Sequence, residues 1–273
     1  MSDDDKAMTQ ILDKPALSSL RAQIDSVDAE LRALLKARAD LVDHVIAAKT
    51  DDGALLPVRP WREAAQMVAL ADWQTHVAPA LPLAGFLAIW REIIGGSLAQ
   101  QGGLTIVTLA QTQTEARAHF GASLDYQLCD NARDAVDVVQ KNPRSLAVLP
   151  PEAALATGGL EIASNGACVF NLLPVLTPVT ALCYGAVPLD LTEPGLTLVR
   201  LAVAAMQADG GANLDEAAQA ALDGAVALCS DETAHIVALN GAFDADMIAE
   251  IFDGQAVWLG NCPQPLFANG GGL

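Results

Sequence analysis

Aromatic side chains are scarce in this chain, cations are few, and paired cysteines and long apolar runs are lacking. Aromatics make up only 4% of the 273 residues, although 52% are hydrophobic, so Ala and Leu carry most of the apolar content. Lys and Arg number 15 against 33 Asp and Glu, a formal net charge of −18. Nucleic acid and anionic membrane are poor partners for such a surface. The five cysteines, Cys129, Cys168, Cys183, Cys229 and Cys262, are odd in number, scattered and without a CxxC pair. That argues against a disulfide framework or a zinc site, and for reduced thiols. No apolar run reaches transmembrane length, and the opening MSDDDKAMTQ is acidic where a secretory signal is basic and then apolar. A cytoplasmic protein is expected.

The charge is unevenly spread. Residues 1–101 hold ten Lys and Arg against 14 Asp and Glu, a balance of −4, whereas residues 102–273 hold five against 19, a balance of −14. The cations of the first part matter for where they sit. Leu20 to Lys49 reads as one long helix, with apolar residues at three-and-four spacing and no Pro or Gly. Along one face run Leu31, Leu35, Arg38, Val42, Val45 and Lys49. Two cations thus continue an apolar stripe, pointing the same way and roughly 16 Å apart. Either they snorkel or pair with carboxylates, or they converge on a small anion. A rod of about 45 Å is longer than a small domain is wide, so a second copy is expected to cover its stripe in a two-fold dimer.

Residues 1–14 read as a mobile acidic tail. After the helix breaker Asp51-Asp52-Gly53 and a short extended link, Pro60 suits the first turn of a second helix, WREAAQMVALADWQTHV. Arg62 and Glu63 fall in that turn. Pro82 starts a third helix, LAGFLAIWREIIGGSLAQQ, whose stripe reads Phe86, Trp90, Ile93, Ser97, Gln101, and Gly102-Gly103 stops it. Ser97 and Gln101 are the ordinary polar end of a helix when taken alone. Taken with Arg38, Lys49, Arg62 and Glu63, they outline a polar pocket in a helical bundle, suited to a compact dianion with a hydroxyl.

The ordered set LRxxID, LRALLKAR, AAK, PVR, RE and IIGGSLAQQ over residues 17–101 resembles the all-helical, AroQ-type chorismate mutases. The segments RPWREA and IWREI are similar to the bacterial branch in which this module heads a longer chain. The resemblance implies a three-helix module forming an intertwined dimer, and conversion of chorismate to prephenate in the shikimate pathway to phenylalanine and tyrosine. It gives Arg21 to a substrate carboxylate in the partner subunit's site, and Arg38 to a carboxylate within the subunit. Lys49 is matched to the donor to the ether oxygen, and Gln101 to a second such donor. Arg62 and Glu63 match the pair opening the second helix, with Glu63 accepting from the ring hydroxyl, and Ser97 matches a serine beside a carboxylate. The family often has Asp three residues before that pair. Here Arg59 stands there and the link is one residue shorter, so Arg59 stays off the site. The rearrangement is unimolecular and pericyclic, so neither metal nor cofactor is expected. Holding the folded conformer and stabilising charge on the ether oxygen is the chemistry such residues supply.

From Leu104 short strands and helices alternate: LTIVTLA, TQTEARAHFG, DYQLC, NARDAVDVVQ and SLAVLP. An α/β domain with some parallel pairing is expected over residues 104–266, ending in a small βαβ-type regulatory unit. Residues 267–273 read as a loose tail. This half faintly resembles the prephenate dehydratase domain that follows the mutase in bifunctional proteins, through its strand order, the HFG at a helix end and the SLAVLPPE stretch. The family's Thr-Arg-Phe motif is absent. Thr197 and Arg200 are the nearest equivalent, and on a strand, positions three apart face opposite ways. The remaining cations, Arg117, Arg133, Lys141 and Arg144, read as surface charges. The leading expectation is a chorismate mutase with a degenerate dehydratase-like or sensory second domain. The alternatives are a bifunctional mutase–dehydratase, and a non-catalytic dimerising protein that binds an aromatic-pathway metabolite.

Overall fold

The computed structural model describes residues 17–48, 56–156, 160, 163–174, 178–193, 195–203 and 216–264. The expected tails at 1–14 and 267–273, and Lys49, lie outside these residues. The chain divides into two compact units, Met1–Asp51 and Asp52–Leu273.

The described part of the first unit is one helix, α1 (Leu17–Ala48), of 32 residues. It begins three residues before the expected start and spans about 48 Å at ~1.5 Å per residue. None of its residues is buried. Ile24, Leu34 and Leu41, all apolar, stay 59%, 67% and 63% exposed.

The second unit opens with α2 (Pro60–Val77) and α3 (Leu83–Gln100). Pro60 occupies the first turn of α2, where its missing N–H costs nothing. Gln74 Nε2 donates to Leu81 O at 2.6 Å and ties the turn between the helices. Trp73 stacks on Phe86 near that turn, with centroids 5.4 Å apart, while Glu63 meets Arg91 farther along, so the two helices run antiparallel. Gly102 and Gly103, at φ 75° and 70°, end α3 in the left-handed conformation that glycine adopts without strain.

Nine described strands then form one sheet in the order β2-β1-β3-β5-β4-β9-β6-β8-β7. They are β1 (Thr105–Thr108), β2 (Asp125–Leu128), β3 (Ser145–Leu149), β4 (Cys168–Leu173), β5 (Ala181–Gly185), β6 (Gly195–Ala202), β7 (Val226–Ser230), β8 (Ala234–Asn240) and β9 (Ala256–Pro263). The helices between them are α4 (Gln113–Phe120), α5 (Ala132–Lys141), α6 (Ala153–Ala156), α7 (Glu216–Leu222) and α8 (Ala245–Ile251). β1 pairs in parallel with β2 and β3, the crossover pattern that alternating strands and helices predict. β3 and β5 are buried at every residue, as central strands covered on both faces should be. From β6 onward the order is strand, helix, two strands, helix, strand, with β9-β6-β8-β7 as neighbours, a split βαβ arrangement fuller than the small unit expected. The two parts of the sheet meet where β4 and β9 register at one parallel pair, Val169 with Gly260. A Cβ at Gly260 would collide with the Val169 carbonyl, so only glycine lets the strands close there.

Leu56, Met67, Leu87, Ile94 and Leu98 share one core with Ile106, Phe120 and Phe170. Helices α2 and α3 therefore pack on the sheet, and the change of sequence texture at 102–104 does not coincide with a gap in packing. Val107, Val139, Leu149 and Tyr184 belong to a second cluster. Ala218, Ile248 and Phe252 pack with Val199 and Leu239 of β6 and β8 in a third.

Candidate active site

The residues expected to hold a dianion fall on both units. On α1, Arg21 is exposed and Arg38 is half-buried. In the second unit, Arg62 and Glu63 open α2, and Ser97 and Gln101 close α3, at the ends of the two helices away from their turn.

Arg59, whose use the sequence left open, is committed to the link. Its Nη1 donates to Leu56 O at 2.9 Å and to Val58 O at 3.0 Å. Its backbone N–H, at the start of α2, donates to Glu63 Oε1 at 3.4 Å, so Glu63 helps to cap its own helix. The other oxygen of Glu63 accepts from Arg91 Nη1 at 3.3 Å. Both side chains are buried, with the residues 8% and 6% exposed. Burial raises the Glu63 carboxyl above its ordinary range, against the opposing pull of Arg91 and of the Arg59 N–H. Burial likewise lowers the Arg91 guanidinium, against the pull of Glu63. Desolvation outweighs mutual attraction on both sides, as is usual for an ion pair in a dry core. Arg62, next to Glu63, is exposed.

Ser97 and Gln101 lie on the half-exposed stripe of α3 with Phe86, Trp90 and Ile93. The Ser97 hydroxyl donates to Ile93 O at 3.0 Å, and Gln101 Nε2 donates to Ser97 O at 3.1 Å. Both of these bonds are made to the backbone of α3 itself. Arg91 was missed by the sequence reading. It lies on the stripe Leu87, Arg91, Ile94, Leu98, all buried, and a cation on an apolar line was the signal that singled out Arg38 and Lys49.

In the α/β part, three of the cations are used locally. Arg117 sits 4.2 Å over the Tyr126 ring, Lys141 Nζ meets Asp137 at 3.3 Å, and Arg144 Nε donates to Gly103 O at 3.2 Å. Thr197 is fully buried. Its hydroxyl donates to Gly241 O at 2.8 Å and accepts from Phe243 N at 2.9 Å and Asn261 Nδ2 at 3.0 Å. Thr197 and Arg200 lie three apart on β6 and therefore on opposite faces. All five cysteines are free. Among the described residues no His, Cys, Asp and Glu cluster forms a metal site, and no helix is long and apolar enough to cross a membrane.

The motifs on α1, α2 and α3 fall within one recognised family segment. Residues 20–102 match the family model of chorismate mutase type II. The matched segment takes in Arg21, Arg38, Lys49, Arg62, Glu63, Ser97 and Gln101, and leaves out the whole sheet. A curated relative, the bifunctional chorismate mutase/prephenate dehydratase of Aquifex aeolicus (strain VF5), is 29% identical over 142 residues. That alignment covers 50% of this chain and 39% of the relative, so the chain spans well under half of that protein's length. A solved prephenate dehydratase from Streptococcus mutans is 10% identical and covers 58% of this chain and 97% of its own, with a TM-score of 0.33. GqqA, described as a novel type of quorum quenching acylase, is 15% identical and covers 58% and 94%, with a TM-score of 0.35.

Proposed function

We propose that this protein rearranges chorismate to prephenate, a step towards phenylalanine and tyrosine, and that residues 15–101 act as its catalytic module. The observation that carries the reading is the complete ordered set of chorismate mutase motifs within the segment that matches the family. The chemistry fits the residue types. Arginine forks suit two carboxylates, with Arg38 from the same chain and Arg21 from a second one. Lys49 and Gln101 donate to the ether oxygen as charge grows there, each worth about 3 kcal/mol by comparison with a lost oxyanion donor. Arg62 adds positive charge at the mouth, Ser97 meets a carboxylate, and Glu63 accepts from the ring hydroxyl. Glu63 is fixed for that role by the Arg59 N–H and by Arg91.

The working unit in this reading is a homodimer with shared sites. Its support is the uncovered apolar stripe of α1, which a second copy of the same helix would bury. The α/β part is not assigned dehydratase activity. Expelling hydroxide from prephenate needs a donor beside a cation, and the Thr197 proton already goes to Gly241 O while Arg200 faces the other way.

Chorismate supplied to the purified full chain should yield accumulating prephenate, with phenylpyruvate forming no faster than prephenate decays unaided. Prephenate at the uncatalysed rate would overturn the mutase reading. Rapid phenylpyruvate formation that Arg200→Ala abolishes would promote the bifunctional alternative.

A further inference from the structure

The two groups that hold Glu63 differ in kind. The Arg59 N–H is a backbone donor 3.4 Å from Oε1, set by the start of α2, whereas Arg91 brings a full charge to 3.3 Å from Oε2. Each carboxylate oxygen offers two lone pairs, so each can still accept from a substrate hydroxyl.

Arg91 is itself turned away from the other candidate residues of α3. It lies with Leu87, Ile94 and Leu98 on the buried line of that helix, whereas Ser97 and Gln101 lie on the half-exposed one. Six residues at about 100° each set Arg91 roughly 120° round the helix from Ser97. Its neighbours on the buried line share a core with Ile106, Leu146 and Cys183 of the sheet. A guanidinium on that side reaches a substrate only through the carboxylate it pairs with.

The other titratable groups beside the pair bring no charge to it. Burial pushes the Cys183 thiol of β5 up, and burial followed by the Arg91 charge holds His119 of α4 well below its ordinary value, so both are neutral. Burial favours the protonated form of Glu63, and Arg91 and the Arg59 N–H oppose it. The ionised form matters because a carboxylate accepts from a hydroxyl more strongly than a neutral carboxyl does.

We propose that Arg91 is a positioning residue for the rearrangement: it touches no substrate atom, but aims Glu63 and supplies the counter-charge that keeps it an anion for the ring hydroxyl. This deepens the mutase reading and rests on it.

Chorismate consumption by the full chain, followed from acid to alkaline pH, tests this on three single variants and one double variant. Arg91→Gln should move the acid limb of kcat/KM to higher pH. It should also lower kcat/KM at neutral pH by about tenfold or more, the loss expected when a charged contact goes. Arg91→Lys keeps the charge and should keep the limb near that of the parent. Glu63→Gln takes up no proton at this position, so its limb should flatten. Adding Arg91→Gln to Glu63→Gln should change kcat/KM by less than about twofold, because Arg91 then has no anion to act on. The lysine variant and the double variant decide the matter even where Arg91→Gln melts below the assay temperature, since neither leaves a buried carboxylate without a cation. An unmoved limb in Arg91→Gln, a limb in Arg91→Lys well above that of the parent, or a further tenfold loss in the Glu63→Gln background overturns the proposal while the mutase reading stands. A parent chain that leaves chorismate unchanged overturns the mutase reading, and this inference with it.

Discussion

His119 is buried edge-on against Phe120, with ring centroids 4.6 Å apart, and its Nε2 lies 3.4 Å from Asn171 Nδ2. Burial, and then the nearby Arg91 charge, hold its pKa well below the ordinary histidine value of 6.5. The unfolded chain therefore binds a proton that the folded chain refuses, and stability is lost as pH falls below about 6.5. His119 alone contributes a slope of up to ~1.4 kcal/mol per pH unit in that window. Urea unfolding of the parent and of His119→Asn at several pH values should show the acid loss shrinking in the variant. Equal slopes would mean that other groups cause it. Thr197 makes a second test at this scale. Its hydroxyl joins Gly241, Phe243 and Asn261, so Thr197→Val should cost about 2 kcal/mol or more by stranding buried partners. Because the hydroxyl is structural, the ratio of prephenate to phenylpyruvate should not change. A shift in that ratio at intact stability would return Thr197 to the catalytic candidates. Lys49→Ala and Gln101→Ala belong here too. Each should lower turnover by about a hundredfold while thermal unfolding barely moves, and parent-like rates in both would sink the mutase assignment.

Two neighbouring glycines on α3 show how an element is seated. At Gly95 an added Cβ would run into the Phe120 carbonyl at the end of α4, and at Gly96 it would meet nothing within 4 Å. The same two letters in IIGGSLAQQ therefore carry different constraints. Gly95→Ala should push α3 off α4 and destabilise by about 1–3 kcal/mol, the usual cost of overpacking. Gly96→Ala should be neutral or stabilising by up to ~1 kcal/mol, since alanine is the better helix former. Thermal melts of the two single variants decide this, and equal effects would show that α3 is not held by this contact.

At the scale of the molecule, α1 stands out as a helix of 32 residues with no buried residue and an apolar stripe along its length. A lone helix derives little stability from propensity, so such a stripe needs covering from outside its own unit. In the proposed dimer, Arg21→Ala and Lys49→Ala chains are each inactive as homodimers. A heterodimer restores one intact site, so an equal mixture after subunit exchange should regain about a quarter of the parent activity. Sedimentation should give a dimer for every variant. Exchange demonstrated by native mass spectrometry without returning activity would rule out sharing of the sites.

Local pattern wrote much of this structure into the sequence. Three-and-four spacing, Pro60 and the Gly102-Gly103 pair set the second and third helices almost to the residue, because a helix depends on its own side-chain period and its own ends. The short strands LTIVTLA, DYQLC and SLAVLP were legible for the same reason. The polar residues on the stripes, Ser97 and Gln101, were legible as candidates because they interrupt a period. Contacts between distant segments were not legible. No local signal pairs Glu63 with Arg91, 28 residues on, or shows that Arg59 spends its guanidinium on the link before α2. Strand β4 passed unnoticed, since a short apolar run becomes a strand only through its neighbours, and a single registered pair joins it to β9. The sequence determined which segments are helices and strands and which residues interrupt their faces. Tertiary structure alone decided which of those faces meet, since burial and pairing depend on groups far apart along the chain.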